Sequence, residues 1–436
     1  MKMGMIASVD LEKRNSLVSL FGEWEFRLDP EDMGEKEGYF EPDFEDQGWS
    51  KIKVPSMWQV EGYPTYNGWA WYRTFFRVEH LSNRDVNVIL RFRGVSYYAK
   101  VWLNGEYLGE HEGHFAPFEF VVTDKIREEN ILVVRCGCPL EEWQHTVKLY
   151  RGTNKKTTLG ALQDWDCIPY PTTTNPSGIW QDVELEMVGP VWIKYADLTT
   201  WEVTREGCAD VELHLYVVNC GKRIQDAELH VTFSPKNFDG PSYNLVLGPI
   251  DIYDYRKWPL YDFGRAEHPK QPPAQEYHFR FRVPKVQLWW PWDLGKPHLY
   301  DVEVQIKTGG IISHTVKTTF GFRTVRKGLN DPVRDRWNWA LFINGVRFFA
   351  RGANYLSDQF QSRMTKERYL EDLQMIKDAN MNMVRSFAVV ERKEFFEVCD
   401  ELGLLIYQDF PLQWGGYVTT SDFARTCQRQ AAELVH

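Results

Sequence analysis

The fold is decided by four segments near the end of the chain: RFFARGANY (residues 347–355), TKERYLEDLQMIKDA (365–379), MNMVRSF (381–387) and CDELGLLIYQDF (399–410). In the second segment, apolar residues recur every three to four positions behind Thr365, a predicted N-cap, which indicates an amphipathic helix. Further helices are predicted over residues 393–402, ended by Gly403, and over residues 421–436.

Short apolar runs predict three strands in the same region, at residues 348–350, 383–385 and 404–407. Strands and helices alternate at a short period, so the strands are expected to be parallel. This pattern predicts the opening of a (β/α)8 TIM barrel. A closed barrel needs roughly 250 residues, so the sequence supplies about three of its eight units.

Polar residues follow each predicted strand: Asn354 after the first, Arg385 at the end of the second, and Gln408 and Asp409 after the third. In a β/α barrel, the carboxyl ends of the strands form the catalytic face. A single residue of this kind is more often structural than catalytic. Three strand ends with hydrogen-bonding groups together favour a site at this edge.

The preceding sequence is predicted to be all-β, with alternating apolar and polar positions and an Asn-Gly hairpin at Asn104 and Gly105. A boundary is expected at Gly189 and Pro190. We predict a jelly-roll sandwich over residues 1–188, an immunoglobulin-like β-sandwich over 189–327 and the incomplete barrel over 328–436. Residues 237–275 show no clear pattern and are expected to form an irregular insertion.

Composition excludes several classes of function. The net charge is −10 and the sequence has no long basic run, so nucleic acid is not an expected partner. The 18 Trp, 21 Tyr and 26 Phe suit either sugar stacking or β-sandwich cores, and alone favour carbohydrate only weakly.

The seven cysteines are scattered, and Cys136 and Cys138 have the wrong spacing for a zinc clip. No cofactor and no metal ion are therefore predicted. Reduced thiols, no convincing signal sequence and no apolar run long enough to span a membrane predict a cytoplasmic protein without a membrane partner.

One long loop, residues 151–180, is rich in Gly, Pro and Thr and lacks a core pattern until its end. Loops of this length inside a compact domain are usually functional or disordered. Trp165 offers a stacking face, and Asp164 and Asp166 offer acceptors for sugar hydroxyls. The alternative is a surface loop with solvated carboxylates.

These segments resemble glycoside hydrolase family 2, and within it the β-mannosidase branch. RGANY is similar to that branch's G-A-N-W motif, MNMVRSF to its M-N-M-L-R-V-W, and CDELGLLIYQDF to its C-D-E-L-G-I-x-V-W-Q-D-F. VWLNG (101–105) and LWWPW (288–292) match motifs of the family's two N-terminal sandwiches. His111 and His114, near the first of these, are expected to be structural.

The resemblance implies roles for individual residues. Trp165 and Asp166 match the first two residues of the family's W-D-W-G-P loop, whose Asp binds sugar hydroxyls, although Cys167 and Ile168 depart from that motif. Arg385 matches an arginine beside the catalytic nucleophile; the alternative is a structural role in a buried pair with Asp409. The remaining predicted substrate-binding residues lie at strand ends or at the positions of family tryptophans: Asn354, Tyr355, Phe387, Asp409 and Trp414.

In that family both catalytic glutamates follow the helix that ends near His436, so we expect the N-terminal portion of a retaining, exo-acting glycosidase for terminal β-glycosides. A β-mannoside is the favoured substrate, and this chain alone is expected to be inactive. Two alternatives remain open: a non-catalytic carbohydrate-binding protein, and a fragment completed by another chain through the open barrel edge. A homo-oligomer is also compatible with such an edge.

Overall fold

The computed structural model describes residues 5–44, 48–81, 86–138, 175–254, 274–329, 339–387, 389–412 and 420–435, and the statements below concern these residues. Two β-sandwiches are followed by a small antiparallel sheet and a parallel sheet covered by helices. The predicted β-sandwich architecture is therefore confirmed, and the limits of the three predicted domains stay predictions.

The first sandwich contains thirteen described strands and the short helix α1 (Gly34–Glu37). The strands are β1 (Ala7–Asp10), β2 (Ser16–Ser19), β3 (Gly22–Asp29), β4 (Ser50–Val54), β5 (Trp69–Glu79), β6 (Asn87–Phe92), β7 (Val95–Ser96), β8 (Tyr98–Leu103), β9 (Glu106–Glu112), β10 (Phe118–Val121), β11 (Glu129–Gly137), β12 (Gly178–Ile179) and β13 (Val183–Val188). The larger sheet has the order β4-β3-β5-β11-β8-β9, with β1 beside β5, and the opposing sheet has the order β10-β6-β13-β2.

The β8–β9 hairpin turns at the predicted residues. Asn104 and Gly105 have φ angles of 54° and 81°, as the two central positions of a tight hairpin turn require. The abundant tryptophans serve largely to fill cores, because six of them are fully buried: Trp24, Trp58, Trp71, Trp180, Trp192 and Trp289. Burial of this kind explains much of the aromatic content without a sugar ligand.

The second sandwich packs two antiparallel sheets face to face, with the orders β14-β15-β18 and β17-β16-β19-β20. Its strands are β14 (Val191–Val203), β15 (Ala209–Asn219), β16 (Ile224–Pro235), β17 (Tyr243–Ile252), β18 (Gln275–Val283), β19 (Tyr300–Thr308) and β20 (Ile311–Phe320). The expectation of an irregular insertion over residues 237–275 is wrong in part, since it contains β17. Gly248 and Pro249 interrupt the strand pattern there, and an edge strand tolerates them.

A three-stranded antiparallel sheet, β21 (Val325–Leu329), β22 (Trp339–Ile343) and β23 (Val346–Phe348), leads into the last part of the chain. Three parallel strands follow: β24 (Gly352–Tyr355), β25 (Met383–Ser386) and β26 (Leu405–Gln408). The predicted first strand at 348–350 is therefore wrong: Phe348 ends a hairpin, and the first parallel strand begins at Gly352. Closure into an eight-stranded barrel stays a prediction.

The helices of this region are α2 (Lys366–Asp378), α3 (Lys393–Leu402) and α4 (Ser421–Val435). The Thr365 hydroxyl accepts a hydrogen bond from the Arg368 backbone N–H, which confirms the predicted N-cap. Gly403 ends α3 with a φ angle of 74°, a left-handed conformation that favours glycine. Helices α2 and α3 cover one face of the parallel sheet and bury a shared apolar core against it.

The motif LWWPW joins the second sandwich to this α/β unit. The indole N–H of Trp289 donates to the Asp400 carbonyl at 2.9 Å, and that of Trp292 donates to the Met381 carbonyl at 2.8 Å. Asp400 also pairs with Arg323 at 3.3 Å. These contacts fix the parallel sheet relative to the second sandwich.

Candidate functional site

Among the described residues, helices cover only one face of the parallel sheet. Asn354 of β24, Arg385 of β25 and Tyr407 of β26 occupy matching register positions, so their side chains form one row across the other face. Asn354 is exposed, and 52% of Tyr407 is exposed. The row lies within the last two residues of each strand, so it lies near the carboxyl edge of the sheet, where β/α barrels place their chemistry.

Arg385 and Asp409 form the charged centre of this face. The Arg385 Nε donates to Asp409 Oδ1 at 3.1 Å, and a terminal nitrogen of Arg385 donates to Asp409 Oδ2 at 2.7 Å. This bidentate ion pair fixes the orientation of both side chains. The Asp409 carboxylate raises the pKa of the Arg385 guanidinium. The Asn354 side-chain oxygen lies 3.5 Å from a terminal nitrogen of Arg385. The pair is neutral overall and holds the guanidinium in a fixed position on this face.

Aromatic rings flank the guanidinium. Its central carbon lies 5.0 Å from the centre of the Phe387 ring and 5.7 Å from that of the Tyr407 ring. Such cation–π contacts hold an arginine in place while leaving ring surface at the site. Tyr407 is the site residue that sequence reasoning missed. Its position two residues before Asp409 is the available signal, because alternate residues of a strand share a face.

Phe387 also contacts the first sandwich. It packs on a small apolar cluster that contains Tyr97, Cys138 and Val389. The Cys138 carbonyl accepts a hydrogen bond at 3.0 Å from the side chain of Asn175. Cys138 and Asn175 are the described residues nearest in the chain to Trp165 and Asp166 on either side, and their hydrogen bond lies next to the cluster that contains Phe387.

A buried polar network joins the first sandwich to the sheet's carboxyl edge. His114 Nε2 donates to the side-chain oxygen of Gln361 at 2.7 Å, and Gln361 donates to the Val390 carbonyl at 2.9 Å and to Glu391 at 3.3 Å. Tyr369 donates to Glu391 at 2.8 Å. Burial lowers the pKa of His114 to about 4 and raises the pKa of Glu391. The expectation of a structural role for His114 fits these contacts.

Tyr355 lies apart from the other predicted site residues. Its ring stacks on Phe395 of α3 at 5.4 Å, its hydroxyl donates to Asp372 of α2 at 3.0 Å, and only 7% of the residue is exposed. Tyr355 follows Asn354 directly in β24, and consecutive strand residues point to opposite faces. The structure thus gives Tyr355 a place in the helix-side core instead of the polar row.

Other predicted residues divide into two groups. Gln408 holds the edge of the sheet, since its amide donates to the Val389 and Asp409 carbonyls at 2.7 Å. Trp165, Asp166 and Trp414 lie outside the described residues, and their roles stay predictions.

A cavity of about 1750 Å³ lies between the two sandwiches and the helices α3 and α4. Its walls are strongly charged and include Arg91, which is paired with Glu119 and Glu186 at 2.9 Å. Helix α3 lines this cavity and packs on the sheet face opposite to the one that carries Arg385. The candidate site is therefore the sheet face, where polar and aromatic groups converge.

Two domains of known proteins match most of the chain before the parallel sheet. The sugar-binding domain of glycosyl hydrolases family 2 matches residues 17–188, and a second domain described as glycosyl hydrolases family 2 matches residues 209–323. The chain belongs to glycoside hydrolase family 2.

Its relatives include β-mannosidases. The chain is 28% identical to a mannosylglycoprotein endo-β-mannosidase of Lilium longiflorum, over 78% of this chain and 34% of that protein. It is 25% identical to a β-mannosidase of Capra hircus, over 85% of this chain and 42% of the relative. The chain thus spans less than half the length of these curated relatives.

The structural comparison supports the fold. The β-D-mannosidase from Dictyoglomus thermophilum superimposes with a TM-score of 0.73 at 21% identity, over 96% of this chain and 50% of that one. In the part of the chain that the structure describes, each helix is too short or too polar to cross a lipid bilayer.

Proposed function

We propose that this chain supplies the substrate-binding part of a retaining glycoside hydrolase that cleaves terminal β-glycosides, with a β-mannoside as the preferred substrate. The observation that carries the proposal is the row of Asn354, Arg385 and Tyr407 on the uncovered sheet face, with Asp409 and Phe387 beside it. Membership of glycoside hydrolase family 2 supports the same class of reaction.

Each side chain of the row offers an interaction that a sugar can use. The Asn354 amide offers a donor and an acceptor for hydroxyl groups, and the rings of Tyr407 and Phe387 offer apolar surface for the C–H face of a pyranose. Arg385 carries a permanent positive charge, held in place by Asp409. A charge of this kind keeps a neighbouring catalytic carboxylate ionised.

Hydrolysis with retention needs two carboxyl groups about 5 to 5.5 Å apart, one as nucleophile and one as acid and then base. Asp409 is engaged by Arg385, and Glu391 is 4% exposed and hydrogen-bonded within the domain interface. Neither carboxylate suits those roles. We propose that the catalytic pair consists of two glutamates from outside this sequence, as the family resemblance implies.

The preference for a mannoside rests on the resemblance to β-mannosidases and on the predicted loop. Asn175, which lies inside that loop, is hydrogen-bonded to Cys138, and Cys138 belongs to the apolar cluster on which Phe387 packs. This position supports the proposed contribution of Trp165 and Asp166 to sugar binding. Trp414 is proposed as a further stacking surface. The Lilium relative is named as an endo-acting enzyme, so the choice between a terminal sugar and an internal linkage needs a direct test.

The test combines binding and turnover. Saturation-transfer NMR would compare methyl β-mannoside, methyl β-galactoside, methyl β-glucuronide and a short mannose-containing oligosaccharide, and nitrophenyl β-glycosides would report hydrolysis. We expect the strongest transfer to methyl β-mannoside and no turnover. Measurable turnover by the pure chain would contradict the proposed origin of the catalytic pair. Equal transfer to all sugars, or stronger transfer to the oligosaccharide, would contradict the preference for a terminal mannoside.

A further inference from the structure

A cluster of metal-ligating side chains lies on the outer face of the second sandwich, on neighbouring strands β15 and β18. His214 and His278 are directly opposite each other in the antiparallel register, and their ring centres are 4.1 Å apart. Ligand atoms of Glu212, His214 and His278 all lie within 4.8 Å of one another. Two imidazoles and a carboxylate within this distance are a donor set that suits zinc.

Strand geometry explains why these residues meet. Glu212 and His214 are two residues apart in β15, so they share the face opposite to the buried Leu213 and Leu215. His278 shares that face across the strand pair. Residues directly opposite in an antiparallel pair have close Cβ atoms, so a metal ion can join the two strands with side-chain movements alone.

A second carboxylate orients the two rings. Glu276 Oε1 lies 2.9 Å from His278 Nε2 and 3.6 Å from His214 Nδ1, and it accepts a hydrogen bond from the Tyr216 hydroxyl at 2.8 Å. Histidines that bind metal ions usually donate their other ring N–H to a carboxylate. On this pattern Glu276 holds one nitrogen of each ring, and His214 Nε2 and His278 Nδ1 are the ligands.

Glu212 completes the set. Its Oε2 lies 3.7 Å from His214 Nε2, while its other oxygen accepts from Arg280 at 3.0 Å. The site is accessible from solvent, because 52% of the His278 side chain and 33% of the His214 side chain are exposed.

We propose that Glu212, His214 and His278 bind one Zn²⁺ ion, with Glu276 as the positioning residue and water in the fourth coordination position. The ion would join β18, at the edge of its sheet, to the central strand β15. The sequence alone predicts no metal site here, because the two histidines are far apart in the chain and form no local spacing motif. The register of β15 and β18 brings them together.

The chain offers a matched control. His230 of β16 also follows a glutamate by two residues, and its Nε2 lies 3.2 Å from Glu228. Its cross-strand neighbours are Val246 and Gln305, so this His–Glu pair has no second imidazole opposite it. A second cluster, Asp10, Glu12 and His80, has carboxylates and one histidine, which is a weaker set for zinc.

The experiment is calorimetric titration of the metal-free chain with ZnCl2, with Co²⁺ absorption spectra as a second readout of tetrahedral coordination. We expect one strong site in the wild type. His278→Gln should weaken binding roughly 100-fold or more because it removes a ligand, and Glu276→Gln about 10- to 100-fold because it removes an orienting partner. His230→Ala should leave binding unchanged, and saturating Zn²⁺ should raise the melting temperature of the wild type.

The proposal is overturned if the wild type shows no strong Zn²⁺ site, or if His278→Gln binds as tightly as the wild type. It is also overturned if His80→Ala or His230→Ala removes the strong site. Circular dichroism of each variant would show that the sandwich remains folded, and His214→Gln provides an independent second removal of a ligand.

Discussion

The two faces of the parallel sheet differ, although their residues alternate along the same three strands. On the helix side Tyr355, Val384 and Ile406 pack against α2 and α3. On the other side Asn354, Arg385 and Tyr407 form a polar and aromatic row. The comparison shows how one short segment serves two purposes: one face stabilises the unit by burying apolar surface, and the other presents groups that can contact a ligand.

The largest expected difference between the faces concerns stability. Phe395 is fully buried between Tyr355 and Tyr369, so Phe395→Ala should lower the free energy of unfolding by about 3–5 kcal/mol. Tyr407→Ala, on the exposed face, should lower it by less than about 1 kcal/mol. Urea unfolding followed by the helical circular dichroism signal would measure both. Similar losses in the two variants would contradict the assignment of the faces.

The second expected effect is a pH dependence of stability, and it concerns the buried contact between the carboxyl edge of the sheet and the first sandwich. His114 is buried and its pKa is lowered to about 4, so the folded protein binds fewer protons than the unfolded chain between about pH 6.5 and pH 4. The contribution of neutral, buried His114 to the free energy of unfolding is fully present above pH 6.5. As the pH falls from about 6.5 to 4, the free energy of unfolding decreases by about 3 kcal/mol in total.

The measurement is the free energy of unfolding of wild type and His114→Gln across that pH range. The difference between them isolates His114 from other titrating groups, including Glu391, whose raised pKa acts in the opposite direction. If the difference in unfolding free energy between the two proteins stays constant with pH, the protonation of His114 does not weaken the contact between the first sandwich and the sheet.

A smaller effect concerns Tyr355, which was predicted as a sugar contact. Tyr355→Phe removes the hydrogen bond to Asp372 but keeps the stacking on Phe395, and Asp372 retains its pairing with Arg368 at 3.0 Å. We expect a loss of about 1 kcal/mol in unfolding free energy and unchanged sugar binding. If Tyr355→Phe lost sugar binding in saturation-transfer NMR without a matching loss of stability, Tyr355 would be a sugar contact after all.

The smallest expected change in stability is at the charged pair. Arg385 and Asp409 are partly exposed, with 39% and 16% of their side chains accessible, so Asp409→Asn should change the unfolding free energy by less than about 1 kcal/mol. Sugar binding should fall because the guanidinium loses its fixed position. A large loss of stability would instead identify the pair as a structural element.

Local signals in the sequence were sufficient for helices α2, α3 and α4, whereas the short helix α1 lies in a region that was predicted to be all-β. Thr365 and Gly403 mark the start of α2 and the end of α3 through short-range hydrogen bonding and backbone conformation. The first parallel strand was misplaced because Gly352, Ala353 and Asn354 have little intrinsic preference for a strand. Pairing with β25 creates it, and a Cβ at Gly352 would collide with the Met383 carbonyl.

The candidate site was predicted in part. Arg385 and Asp409 were found because charged residues at strand ends are informative, and the structure brings them together. Asn354 and Tyr355 were both assigned to the site although adjacent strand residues face opposite ways. Tyr407 was missed because an aromatic residue within an apolar run also suits a core. Which face meets the helices depends on distant packing.

The central claim is that the uncovered face of the parallel sheet binds the sugar. Saturation-transfer NMR with methyl β-mannoside would compare the wild type with Arg385→Ala and Asn354→Ala, using Tyr355→Phe as the variant of the opposite face. We predict transfer in the wild type and in Tyr355→Phe, and at least a roughly tenfold weaker affinity, about 1.4 kcal/mol, in each of the other two. Undiminished binding in Arg385→Ala and Asn354→Ala would contradict the claim.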